Sequence, residues 1–165
     1  MKTLYSFLFL FFLSVSLSAQ AFELKPVDAQ SLKSTMVKSD SLMTGVYAYL
    51  IENYKPVSKK TNVLDNEETG EKACQFTLQF EQGITYSIRR CNEEGPLEET
   101  VTFPPTTLNS LKKWVEDIYH IENLKGTNVW SDEQTTFRPK GEDAGCYYKI
   151  IMSKTNNSVE IWCGC

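Results

Sequence analysis

Cys146-Tyr147-Tyr148-Lys149-Ile150-Ile151-Met152-Ser153, then Lys154-Thr155-Asn156-Asn157-Ser158, then Val159-Glu160-Ile161-Trp162-Cys163-Gly164-Cys165: two runs of strand-forming residues flank a polar cluster. That is how a β-hairpin reads in sequence. With Asn156-Asn157 at the tip, Lys154 faces Val159, Met152 faces Ile161, Ile150 faces Cys163 and Tyr148 faces Cys165. Side chains alternate across a sheet, so Tyr148, Ile150, Met152, Val159, Ile161, Cys163 and Cys165 share one face, with Cys146 at its end. That face belongs in a core. The opposite face pairs Ile151 with Trp162 and ends in Tyr147, diluted by Lys149, Ser153 and Glu160. A strand pair apolar on both sides is either covered twice or offers one side to a partner. The ordinary explanation is cover from elsewhere in the chain. Trp130 and Phe137, in the otherwise polar run from Thr127 to Gly145, are the residues expected to supply it.

Upstream, Cys74 to Cys91 holds a second hairpin, in which Phe76, Leu78 and Phe80 alternate with Gln75, Thr77 and Gln79, and Ile84, Tyr86 and Ile88 with Thr85, Ser87 and Arg89. A three-residue loop Glu81-Gln82-Gly83, with Gly83 left-handed, sets Phe80 opposite Ile84 and Phe76 opposite Ile88, so both apolar rows lie on one face. A two-residue Gln82-Gly83 turn would split them, and burial rejects it. A one-residue bulge at Arg89-Arg90 would keep both arginines outside and bring Cys91 opposite Cys74, within disulfide range.

Two helical patterns complete the layout. Leu32, Met36, Ser39, Met43, Val46, Tyr47, Leu50 and Tyr54 fall within about 100° on a helical wheel, giving one helix or two broken near Gly45. Asp28 or Ser31 caps it and Pro56 lies beyond its end. A strand from Val46 to Ile51 is the competing assignment. Thr106 or Thr107 caps a second helix running to about Asn123, whose Leu108, Leu111, Trp114, Val115, Ile118, Ile121 and Glu122 span roughly 120°, all apolar but the last. Val101-Thr102-Phe103, between Pro96 and Pro104-Pro105, amounts at most to an edge strand. Ser58 to Lys72 reads as the nearest thing to a linker, Thr127 to Gly145 mainly as a long loop with a strand near Thr135 to Phe137, and no internal repeat stands out.

The first residues carry an address. Lys2, an apolar run from Leu4 to Leu17 broken by serines, and Ala19-Gln20-Ala21 make residues 1–21 a signal peptide, cleaved after Ala21 or else after Ser18 or Ala19. The expected location is secreted or periplasmic, with an uncleaved anchor as the alternative, and residues 22–165 form a single exported domain. Nothing after residue 21 is apolar for long enough to cross a bilayer. The formal charge of −4 and the lack of a Lys/Arg cluster beyond Lys59-Lys60 and Arg89-Arg90 make nucleic acid an unsuitable partner.

Five cysteines in an exported chain point to disulfides with one thiol left over. Cys74–Cys91 is one expected bridge and Cys146–Cys165, diagonal across the last hairpin, the other. The competing chemistry is Cys163-Gly164-Cys165, whose Cα atoms would lie roughly 6.6 Å apart in a strand, as a strained, oxidising redox pair. Neither thiol has the helix N-terminus or basic neighbour that lowers a thiol pKa. A zinc site on Cys146, Cys163 and Cys165 lacks a fourth ligand. His120, the only histidine, rules out triads and two-histidine metal sites; one turn after Glu116, it reads as half of a solvated pair. Glu93, Glu94, Glu98, Glu99, Asp132-Glu133 and Glu142-Asp143 read as solvated loop residues. Asn156-Asn157-Ser158 matches the N-glycosylation pattern.

The expected fold is a two-layer α+β domain: an antiparallel sheet from the two hairpins, with an extra edge strand near Val101, packed on two amphipathic helices. No catalytic residue, metal or cofactor is assigned. The expected function is a non-catalytic, exported protein-binding domain of inhibitor, immunity or adhesion type, using Tyr147, Ile151, Trp162 and Lys149 against an unidentified protein or other macromolecule. A thiol-disulfide protein using Cys163 and Cys165, or a structural envelope component, are the alternatives.

Overall fold

The computed structural model describes residues 22–38, 43–66, 71–90, 97–122, 127–141 and 144–164, with residues 62–66, 71–74 and 90 described by backbone alone. The helices are α1 (Ala29–Lys38), α2 (Gly45–Asn53) and α3 (Leu108–Ile121). The strands are β1 (Thr61–Asn66), β2 (Glu71–Gln79), β3 (Thr85–Arg90), β4 (Leu97–Phe103), β5 (Asn128–Trp130), β6 (Thr136–Pro139), β7 (Gly145–Met152) and β8 (Asn157–Gly164). All eight strands join one sheet in the order β1-β2-β3-β4-β8-β7-β6-β5, every neighbouring pair antiparallel. The helices pack on one face of it, the expected two-layer α+β arrangement.

Local chemistry starts each helix. Asp28 Oδ1 accepts from the Gln30 and Ser31 amides at 3.0 and 3.1 Å, Thr44 caps α2 through Tyr47 N at 3.1 Å, and Thr107 caps α3 through Ser110 N at 3.1 Å. The 32–54 pattern is therefore two helices, and the Val46–Ile51 strand is replaced by α2. Along α3, Leu111, Trp114, Val115, Ile118 and Ile121 recur at helical spacing and are all buried against the sheet.

The first hairpin keeps its expected register: Phe76 pairs with Ile88 and Leu78 with Tyr86, and Phe80 N donates to Ile84 O at 2.9 Å. Its loop places both Gln82 (φ 61°) and Gly83 (φ 79°) in the left-handed region, one residue more than expected. Gln75 pairs with Arg89 in unbroken register. Cys91 and the Cys74 side chain, the expected first bridge, lie outside the described residues.

Other expectations change. Val101-Thr102-Phe103 belongs not to an edge but to the central strand β4, paired with β3 on one side and β8 on the other. The 58–72 stretch contains β1 and the start of β2 rather than a linker, and the 127–145 run holds β5 and β6. In the last hairpin Met152 faces Asn157, Ile150 faces Val159 and Tyr148 faces Ile161. Asn157 is no tip residue: it is 1 % exposed, its amide donates to Thr106 O at 3.0 Å and its Oδ1 accepts from Ser153 N at 3.1 Å. Those bonds close the turn over Ser153 to Asn156 and fix the register.

The core is one cluster. Its centre holds Leu50, Tyr86, Val101, Phe103, Leu111, Ile118, Tyr148, Val159 and Ile161, so it runs without a break under the β4–β8 seam. Among the described residues no helix is long and apolar enough to cross a membrane.

Candidate functional site

Alternation decides what the other face of the sheet shows. Strands β4, β8, β7 and β6 turn Val101, Val159, Tyr148 and Phe137 toward the helices. They turn Glu98 and Thr100, Glu160 and Trp162, Tyr147 and Lys149, and Thr136 and Arg138 away from them. None of these outward residues is buried.

At the centre of this face Tyr147 pairs with Trp162 across β7 and β8. Their rings stack with centroids 5.4 Å apart and planes within 5° of parallel. Ile151, the expected partner of Trp162, faces Ser158 in the observed register. Trp162 remains 38 % exposed and Ile151 37 %. Lys149 lies opposite Glu160, Nζ to Oε2 3.9 Å, and Arg89 opposite Glu98, also 3.9 Å. Pairs this exposed contribute little stability, but they keep the face nearly neutral around its aromatic centre.

Trp130 and Phe137 do not cover this patch. They sit on the helix side: Phe137 is buried against Tyr119 at 5.3 Å, and Trp130 packs at a tilt on Phe137, centroids 5.0 Å apart, while its Nε1 donates to Glu116 at 2.6 Å. Phe137 pairs with Tyr148 and Trp130 with Phe137, so the pleat sends all three rings to the core side. Tyr147, Ile151, Trp162 and Lys149 are thus brought together on an open face.

Behind that face lies a polar cluster that sequence reading does not assemble. Glu99, grouped with the solvated loop acids, is 2 % exposed on the core side of β4. Its Oε1 accepts from Thr44 Oγ1 and from Tyr86 Oη, both at 2.5 Å. Glu122 Oε1 accepts from Gly45 N and its Oε2 from Tyr148 Oη, both at 3.0 Å. Burial pushes the Glu122 carboxyl above the usual carboxylate range, against the opposing effect of those two bonds. Burial, then the neighbouring carboxylates, pushes the Tyr86 and Tyr148 phenols well above their ordinary range, so both stay protonated donors. The positive end of α2 meets both carboxylates, through Thr44 and Gly45. Tyr148 therefore ties the back of β7 to the helix layer, directly behind the half-buried Tyr147.

The other chemical candidates are dispersed. Cys146 is bonded to Cys163, directly opposite it with Cα atoms 4.1 Å apart. That replaces the expected Cys146–Cys165 bridge, because the true register brings Cys163 rather than Cys165 across from Cys146. It also takes up the thiol that a Cys163–Cys165 redox pair would use, and two of the three that a zinc site would use. Cys165 lies outside the described residues, as do Glu93, Glu94, Glu142 and Asp143. His120 is exposed on α3, and its expected companion Glu116 is engaged by Trp130. Asp132 and Glu133 are exposed, and among the described residues no group of His, Cys, Asp and Glu is placed to hold a metal ion.

Comparison of the chain with protein-family models, with curated proteins and with solved structures finds no match.

Proposed function

We propose that this chain is a non-catalytic, exported domain that binds a protein partner through the open face of its sheet, with Tyr147 and Trp162 as the anchor and Ile151 and Lys149 beside them. The observation that carries this reading is the parallel, stacked aromatic pair, with Trp162 38 % exposed, on the face of the sheet opposite the described helices. Rigid aromatic rings ringed by charged side chains are what the centres of protein interfaces are made of. A flat, nearly neutral face suits a macromolecule better than a small substrate, which needs a concave site. The apolar N-terminal run and the disulfide support export, and inhibitor-, immunity- or adhesion-like roles all fit such a domain.

The test is Trp162→Ala. Truncating an interface anchor costs upward of ~2 kcal/mol of binding, so the partner captured by the wild-type protein should bind the variant at least about tenfold more weakly. The melting temperature should move by only a few degrees, since the ring is not in the core. Equal capture by both proteins would remove the reading.

A further inference from the structure

We propose that the occupant of this face is a second copy of the same chain, in a two-fold dimer packed sheet on sheet, its axis parallel to the strands and midway between β7 and β8. The proposal rests on the protein-binding reading above and names its partner.

A two-fold interface must be complementary to itself: where residue i meets residue j, j meets i. Of the axes that run along the strands, the one between β8 and β7 sets every charged outward residue of β4, β8, β7 and β6 opposite its counter-charge. Reading across β4, β8, β7 and β6, the first row is Glu98, Trp162, Tyr147 and Arg138, Arg138 following from the Thr136–Lys149 and Phe137–Tyr148 register. The second row is Thr100, Glu160, Lys149 and Thr136. Rotation about an axis between β8 and β7 lays each row over its own reverse. Trp162 then covers the second copy's Tyr147, Lys149 meets its Glu160, Arg138 meets its Glu98, and threonine meets threonine at the ends. Moving the axis onto β8 would set Glu160 over itself, and moving it onto β7 would set Lys149 over itself. Charge therefore selects the axis.

The geometry tolerates this packing. Stacked sheets lie about 10 Å apart, a gap that lysine–glutamate pairs and facing aromatic rings can fill. Aligned sheets cross at about 30°, which at the outer strands, roughly 7 Å from the axis, shifts partners by a few ångströms, within reach of arginine and glutamate side chains. Four strands about 4.8 Å apart give a patch near the small end of what a specific interface buries. The dimer is accordingly reversible, in the micromolar range.

Sedimentation of the wild-type protein up to about 100 μM should show its mass doubling with concentration. Lys149→Glu places glutamate over glutamate, and Glu160→Lys lysine over lysine, so each variant alone should be monomeric. An equimolar mixture of the two should dimerise again. In the mixed pair the glutamate introduced at position 149 of one copy meets the lysine introduced at position 160 of the other, while the second copy's native Lys149 meets the first copy's native Glu160. No intramolecular effect reproduces that rescue, since each copy still lacks its own cross-strand pair. Trp162→Ala should also abolish the dimer. A wild-type protein that stays monomeric, a mixture that stays monomeric, or a dimer indifferent to Trp162→Ala would each overturn the proposal. A monomeric wild type that captures a different protein, and loses it on Trp162→Ala, would sink the dimer while leaving the binding face in place.

Discussion

Glu122 holds two donors from different elements, the Gly45 amide and the Tyr148 hydroxyl, at the half-buried C-terminal end of α3. Because burial raises its folded pKa above the ordinary value of about 4.3, the folded state keeps the proton longer than the unfolded chain does. The sign follows: its contribution to stability is complete below about pH 4.3 and is lost as pH rises through the folded pKa. Glu122→Gln preserves the shape, with the amide oxygen accepting from Gly45 and the amide nitrogen donating to Tyr148. Urea midpoints measured from pH 4 to 8 should therefore fall less steeply for the variant than for the wild type; parallel curves would show that Glu122 does not titrate in that window. This residue leaves a trace in the sequence as the one polar member of the apolar arc of α3. Glu99 leaves none. The strand that turns it inward is legible only as Val101-Thr102-Phe103, and the glutamate itself interrupts the alternation that would have extended β4.

Elements are legible where one face alone is apolar. The first hairpin has a polar outer row and a glycine at its turn, so burial permits a single register. The second hairpin has apolar residues on both faces and a long polar turn, so burial cannot choose between registers an even number of residues apart. Such a slip keeps every side chain on its face, so the inward set is readable from sequence except beside the turn, where Met152, expected inward, is 43 % exposed; the partners are not readable. What chooses the register is the pair of bonds made by Asn157, which depend on Thr106 far away in sequence. The Cys146–Cys163 bridge depends on that register and closes a loop at a sequence separation of 17. Replacing both cysteines by serine should cost about 3 kcal/mol, read as a lowered denaturant midpoint. Reductant should then shift the wild type but have no further effect of this kind on the variant.

Seen whole, the molecule repeats itself in topology although no repeat is visible in its residues. Helix α1 and helix α2 precede the meander β1 to β4, helix α3 precedes the meander β5 to β8, and the last strands of the two meanders pair. The halves nevertheless share one core, since Val101 pairs with Val159 at the seam and both are fully buried. Thermal unfolding at low protein concentration should therefore be a single transition with calorimetric and van't Hoff enthalpies equal; two resolved transitions would mean that the halves are separate units.

Strand β8 has a further effect on how the sheet is made. It is the last of the described strands along the chain yet lies between β4 and β7. Until residues 157–164 are made, no strand joins the half-sheets, and β4 and β7 are both bare edges open to another molecule's strand. Joining them closes a loop through much of the domain, a step that is slow because the entropy is lost before the contacts form. A nascent chain stalled short of Asn157 is left with two open borders, at β4 and β7, in place of one joined sheet.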